Sequence, residues 1–211
     1  MKSLPNILTG GRLALSLVVL VALAIAGGWI PGVPFGDSTK LDLESTAFVA
    51  YVVAAVTDFF DGWLARKLEA TSVLGAILDP IADKVLVVAA LLGLLALGAG
   101  YLALPGGLIL FREFSVSALR ETLAPRGLKL PVTMLAKWKT TLQLAALGLL
   151  LFLPVWSGWG LTSDLQLLAR GEMLGVALIW FAAVVTLWTG AEYALAARRA
   201  LAAAPLFNKD G

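Results

Sequence analysis

Four aspartates interrupt the hydrophobic stretches of this chain at a fixed spacing. Asp58, Asp61, Asp79 and Asp83 sit in the pattern D-x2-D-G-x2-A-R-x8-G-x3-D-x3-D. Ionised carboxylates are costly in or near a bilayer, so four of them require a cation or another compensating partner. Clustered carboxylate oxygens suit a hard divalent ion, Mg2+ or Mn2+. Any fold of this chain has to bring those acids to a common partner.

The surrounding residues identify the solvent. The chain of 211 residues is 60% hydrophobic and 14% charged, which excludes an ordinary soluble domain. A helix needs about 20 residues to cross the hydrocarbon core. Apolar runs predict six spans, at 8–30, 43–66, 76–98, 101–123, 132–154 and 172–197, each bounded to about 4 residues. Turn chemistry separates them: Pro31-Gly32-Val33-Pro34, Gly98-Ala99-Gly100, Pro125-Arg126-Gly127 and Ser157-Gly158-Trp159-Gly160. The expected fold class is all-α: a polytopic membrane protein with six transmembrane helices, forming one membrane domain over 1–211. Cysteine and histidine are both absent. A thiolate nucleophile, a disulfide and a histidine base are therefore excluded, leaving a carboxylate, lysine, tyrosine or water to move protons.

Lysine and arginine set the orientation. With the N-terminus inside, the inner side collects Lys2, Arg12, Arg66, Lys67, Lys84, Arg126, Lys129, Lys137, Lys139, Arg198, Arg199 and Lys209. The outer loops keep Lys40 and Arg170. An even number of spans leaves both termini cytoplasmic. Trp29, Trp156 and Trp159 match an aromatic belt on the outer side.

This orientation puts the aspartates at the cytoplasmic ends of spans two and three. Asp58 and Asp61 are one turn apart, as are Asp79 and Asp83. An antiparallel hairpin would face the two pairs at one depth. Gly62, Ala65 and Gly75 leave room beside them for a ligand or a close helix approach, and Arg66 can offer a planar fork to a phosphate. The competing reading makes the acids interfacial salt-bridge partners of Arg66, Lys67 and Lys84.

The complete pattern resembles the signature of the CDP-alcohol phosphotransferase family of integral membrane enzymes. The resemblance implies transfer of a phosphatidyl or similar group from a CDP-linked donor to an alcohol, with release of CMP. It implies a six-helix protomer that forms homodimers and carries two divalent cations. Asp58, Asp61 and Asp79 would be metal ligands, and Asp83 the general base and a further ligand. Asp58, Gly62, Ala65, Arg66 and Gly75 would form the CDP-donor site.

The acceptor is read from spans four and five. FREFSVSALRE carries Arg112 and Arg120, and AKWKTTLQ carries Lys137, Lys139, Thr140 and Thr141. An arginine inside a span marks a functional site or a paired charge, with Glu113 and Glu121 as the available partners. Together Arg112, Arg120, Lys137 and Lys139 form a cationic patch suited to an acceptor with its own phosphate. Lys137 and Lys139 point about 160° apart on an ideal helix, so one of them is expected to reach the pocket. Glu192 and Tyr193, near the end of span six in its cytoplasmic half, are candidates for the pocket wall or for plain interface packing, and the packing reading is preferred.

LPNILTGGR, VTDFFDGWLAR, LGAILDPIADK, REFSVSALR and AKWKTTLQ further resemble the bacterial members of the family that use glycerol 3-phosphate. The implied substrates are CDP-diacylglycerol and glycerol 3-phosphate, the implied location the bacterial inner membrane, with the active site facing the cytoplasm. No nucleic-acid partner is expected. Two alternatives stand beside this: a sister enzyme taking serine or phosphatidylglycerol as acceptor, and a cation transporter using the acids as an ion path. The outer halves of the spans are almost wholly apolar, which disfavours a conduit.

Overall fold

The computed structural model describes residues 4–33, 36–68, 73–124 and 134–203; within these, the side chains of 4–6, 59–77, 79–80, 134–137 and 203 are outside the described set. Six long helices run in alternating directions: α1 (Leu4–Ala26), α2 (Asp37–Leu68), α3 (Val73–Ala96), α4 (Ala103–Leu123), α5 (Met134–Gly158) and α6 (Leu165–Ala203). A short 3-10 turn, Gly100–Leu102, leads into α4. Every described regular element is helical, as a bilayer demands of backbone that must satisfy its own hydrogen bonds. Four stretches of the described residues are long and apolar enough to cross a membrane: Ile7–Ala26, Gly100–Leu123, Trp138–Gly158 and Leu165–Ala202. The protein is a multi-pass membrane protein.

The helices exceed the apolar runs. A polar first turn extends α2 back to Asp37, because hydropathy marks the lipid-contacting part of a helix and not its hydrogen-bonded length; α6 starts earlier than expected, at Leu165, through the apolar turn Leu165–Leu168. Asp164 caps α6: its Oδ1 accepts from the backbone N–H of Gln166 at 2.9 Å and of Leu167 at 3.2 Å. Gly98 ends α3 at φ 96°, where the N–H of Gly98 bonds Leu95 O and that of Ala99 bonds Leu94 O. That reverse turn needs the left-handed region, which glycine enters without strain. Pro154 lies inside α5, which runs four residues past the expected span end, and the chain turns at Trp159–Gly160, within the break that the sequence marks.

One packing relation departs from the hairpin expectation. Among the described residues, α1 packs broadly against both α2 and α3, while α2 and α3 meet each other sparingly. The reason lies in the stripe along α1: Thr9, Arg12, Ser16, Val19 and Leu23 recur at helical spacing, and all are at most 1% exposed. Gly93 of α3 accommodates this helix; a Cβ there would lie 2.2 Å from Leu23 Cδ1. Just past α1, a Cβ on Gly27 would lie 2.3 Å from the Ala96 carbonyl oxygen. Small residues thus permit the close helix approach on which packing in lipid relies.

The second half of the bundle is tied by polar side chains. Tyr51 Oη donates to Leu144 O at 2.8 Å, joining α2 to α5. Gln143 Nε2 donates to Thr186 Oγ1 at 2.8 Å, joining α5 to α6. At the far end from the aspartates, Trp159 Nε1 donates to Ser45 Oγ at 3.0 Å. Phe48, Phe152 and Trp156 form an aromatic ladder with centroid separations of 5.2 and 5.4 Å.

Substituting Gly93 by valine should overpack the α1–α3 contact and cost about 1–3 kcal/mol. Gly10, which has nothing within 4 Å of its Cβ position, should accept alanine without loss. Thermal unfolding in detergent compares the two; equal midpoints would refute the tight crossing.

Candidate active site

The described aspartates converge on α1. Arg12 Nη1 lies 2.6 Å from Asp58 Oδ1 and 2.5 Å from Asp83 Oδ1, so one nitrogen serves a carboxylate from each of α2 and α3. The arginine is 1% exposed and the two aspartates 34% and 43%. A buried guanidinium with two charge-assisted bonds fixes both acids, while their outer edges face open space. Arg12 entered the sequence reading as one more inner-side charge. Its placement at 3- and 4-residue intervals from Thr9 and Ser16 was the signal that it faces inward.

The salt-bridge reading of the acids is corrected in one respect. Lys84 Nζ donates to Ser117 Oγ of α4 and makes no ion pair with an aspartate among the described residues. The side chains of Asp61, Ala65, Arg66, Asp79 and Lys137, and the surroundings of Gly62 and Gly75, lie outside the described residues. Their helices are described: Asp61, Gly62, Ala65 and Arg66 belong to α2, Gly75 and Asp79 to α3, and Lys137 to α5.

Asp83 opens onto a cavity of about 220 Å³. α3 gives it Asp83 and Lys84; α4 gives Arg112, Glu113, Ser117 and Arg120; α5 gives Lys139, Thr140 and Gln143; α6 gives Tyr193. Three of the four cations expected at the acceptor site therefore share one space with the expected base. Of the lysine pair, Lys139 is 4% exposed and lines the cavity, whereas the neighbouring Trp138 is 70% exposed.

The cations are held by a defined network. Arg112 Nη2 donates to Thr189 Oγ1 at 3.0 Å and Nη1 to Glu113 Oε1 at 3.2 Å. Lys139 Nζ donates to the same Glu113 oxygen. Glu113 is thus the paired charge that the sequence allowed for, whereas Glu121 is exposed and has no ion pair among the described residues. One carboxylate shared by two cations leaves the cavity with excess positive charge, to which Arg120 and Lys84 add.

Tyr193 lines the cavity, so of its two readings the pocket wall holds and the preferred packing reading does not. It is 4% exposed, and the guanidinium carbons of Arg112 and Arg120 both lie 5.7 Å from its ring centroid. The ring holds the two arginines together against their mutual repulsion through its negative faces. Its hydroxyl and Arg112 Nε are buried without a hydrogen-bond partner among the described residues. Gly190, one turn before Tyr193, gives Arg112 its path along α6: a Cβ there would lie 2.7 Å from Arg112 Cγ. No local pattern in α6 announced this, because the arginines it serves lie on α4. Glu192 accepts from Trp188 Nε1 at 3.1 Å on the exposed face, away from the cavity.

The donor set fits a hard divalent cation. Two of the four carboxylates already converge on one positively charged group, and oxygen-only ligands suit Mg2+ or Mn2+. Among the described residues no three possible ligands gather, since two of the four aspartate side chains fall outside that set.

The family model for CDP-alcohol phosphatidyltransferases matches residues 2–188. The chain belongs to that family. It is 39% identical over 218 residues to a Cereibacter sphaeroides protein named CDP-diacylglycerol–glycerol-3-phosphate 3-phosphatidyltransferase, covering 90% of this chain and 93% of that one. A Haemophilus influenzae protein of the same name is 37% identical over 167 residues, 76% of this chain and 83% of the relative. A Rickettsia felis protein of that name is 36% identical over 198 residues, 94% and 97%. The family match spans Arg12, the four aspartates and the cavity residues of α3, α4 and α5.

Replacing Arg12 by methionine should cost about 3 kcal/mol of stability, because it strips a shared partner from two carboxylates. A lowered unfolding midpoint in detergent, partly restored by raising divalent cation concentration, is the expected result. An unchanged midpoint would mean the bridge is not structural.

Proposed function

We infer that this protein transfers the phosphatidyl group of CDP-diacylglycerol to glycerol 3-phosphate, yielding phosphatidylglycerophosphate and CMP. The observation that carries the reading is the shared cavity: the Asp83 carboxylate opens onto the same space as Arg112, Arg120 and Lys139. A base beside a cationic pocket is what a phosphorylated alcohol needs. The names of the relatives support the same substrates.

In this reading Arg112, Arg120 and Lys139 hold the acceptor phosphate, with Lys137 as a further candidate, and Tyr193 sets the spacing of the two arginines. Planar guanidinium forks bind phosphate oxygens in pairs and so orient the acceptor as well as attract it. Asp83 takes the proton of the acceptor hydroxyl as that oxygen attacks the phosphorus beside the lipid. The bond from this phosphorus to the bridging oxygen breaks, and CMP leaves with that oxygen. Arg12 keeps Asp83 oriented toward the cavity. Asp58, Gly62, Ala65, Arg66 and Gly75 would receive the cytidine diphosphate. Asp58, Asp61, Asp79 and Asp83 would hold two divalent cations, Mg2+ or Mn2+, which supply neutralisation of the pyrophosphate and of the departing CMP.

We further propose one membrane domain over 1–211, a homodimer as the family resemblance implies, and an aspartate end facing the cytoplasm of a bacterial inner membrane. The lysine and arginine distribution supports that orientation, and bacterial relatives support the location.

The decisive experiment supplies CDP-diacylglycerol with labelled glycerol 3-phosphate, serine or phosphatidylglycerol, with and without chelator. Label should enter lipid from glycerol 3-phosphate alone, and chelation should abolish it. Transfer to serine or phosphatidylglycerol instead would overturn the acceptor assignment. Asp83→Asn should keep the fold, because Asp58 still pairs with Arg12, and lower turnover by about 10²–10⁴-fold; near-normal turnover would remove Asp83 from the role of base. Arg120→Ala should raise the apparent KM for glycerol 3-phosphate by roughly tenfold, the loss of one charge-assisted contact, and leave that for CDP-diacylglycerol nearly unchanged. Equal effects on both substrates would count against the acceptor pocket.

A further inference from the structure

A second cavity, of about 540 Å³, opens at the end of the bundle away from the aspartates. It lies between the first turns of α2, the end of α3, the end of α5 and the start of α6, and the transfer reaction makes no use of it. Leucines of α3, α5 and α6, and Leu97 just past α3, supply its largest apolar side chains. Its charged groups are Lys40, Glu44 and Glu172.

Glu44 is the telling residue. It is 9% exposed and makes no hydrogen bond among the described residues. Its ionic neighbour is Lys40, one turn earlier, at 3.9 Å, which is beyond hydrogen-bond reach. A largely buried carboxylate that faces a leucine-lined cavity at the edge of a span is costly unless a donor reaches it. Glu172 presents a second carboxylate to the same cavity and is steadied there by the Tyr101 hydroxyl, which donates to its Oε1 at 2.5 Å. Two acids and one lysine leave a deficit of one positive charge. The leucine walls disfavour a small hydrated ion and suit the carbon body of an amphiphile.

We propose that this cavity binds a membrane lipid whose headgroup carries both an ammonium and a phosphate, drawn from the leaflet opposite the catalytic aspartates. The ammonium meets Glu44 and Glu172, the phosphate meets Lys40, and the glycerol and first acyl carbons lie on the leucines. The inference stands independently of the transfer reaction.

Native mass spectrometry of the full chain tests it, with phosphatidylethanolamine, phosphatidylglycerol and soluble phosphoethanolamine as probes. Phosphatidylethanolamine should stay bound, and the other two should be lost. Glu44→Gln should weaken that retention roughly tenfold, the loss of one charge-assisted contact, while far-UV helicity stays unchanged. Ala169→Trp fills the cavity from an exposed position on α6 and should expel the lipid even if Glu44→Gln fails to fold. Equal retention of phosphatidylglycerol, or undiminished retention in either folded variant, would overturn the proposal. Retention of soluble phosphoethanolamine at the level of the lipid would overturn the lipid as the source of the headgroup.

Discussion

A single buried guanidinium organises the catalytic end of this bundle. Arg12 reaches a carboxylate on α2 and another on α3, and at 1% exposure it has no water to fall back on. Burying an arginine is tolerable only where its charge and donors are met, and the acids provide both. The acids in turn remain partly exposed, so their outer edges stay accessible to ligands. Cation and anions therefore fix one another without closing the site.

That arrangement explains the position of α1. The helix contributes no residue to the aspartate signature, yet it packs between the two helices that carry it. Close contact is possible because Gly93 and Gly27 remove side-chain bulk where α1 meets α3. The polar part of the α1 stripe, Thr9 to Ser16, lies at the level of the acids, and the apolar part, Val19 to Leu23, fills the core beyond. One helix face thus changes from electrostatic to hydrophobic work along its length.

The cationic cavity follows a related logic. Arg112, Lys139 and Arg120 would repel one another if left alone in a low dielectric. Glu113 neutralises part of the charge, and the Tyr193 ring accommodates both arginines. What remains is an excess of positive charge facing Asp83, available to a phosphate. Lys139 and Arg112 are nearly buried, so the donors are pre-positioned and lose little freedom when a ligand arrives.

The spacing of Asp58, Asp61, Asp79 and Asp83, the apolar run lengths and the arginines within α4 were legible without coordinates, because each is a short-range property. Helical geometry alone brings residues three or four apart to one side, and span length follows from bilayer thickness. That one of Lys137 and Lys139 would reach the pocket was legible, and Lys139 lines the cavity through the face of α5 that packs on α6. Tyr193 was legible only as one of two alternatives, its hold on two arginines was not, and Glu44 was not legible at all. Their meaning depends on neighbours from other helices, and nothing in their own segments distinguishes them from interfacial residues.

The sequence by itself determined a helical membrane protein with a carboxylate cluster at one end and a phosphate-suited patch nearby, since periodicity and hydropathy are written along each helix. Tertiary structure alone decided that Arg12 joins Asp58 to Asp83, that Tyr193 sits under two arginines, and that Asp83 shares a cavity with them. Those relations join residues as far apart as Arg12 and Asp83, 71 positions, and Arg112 and Thr189, 77 positions. Contacts over such separations arise from which helix faces fit together, and packing of whole faces is a collective property that no single segment encodes.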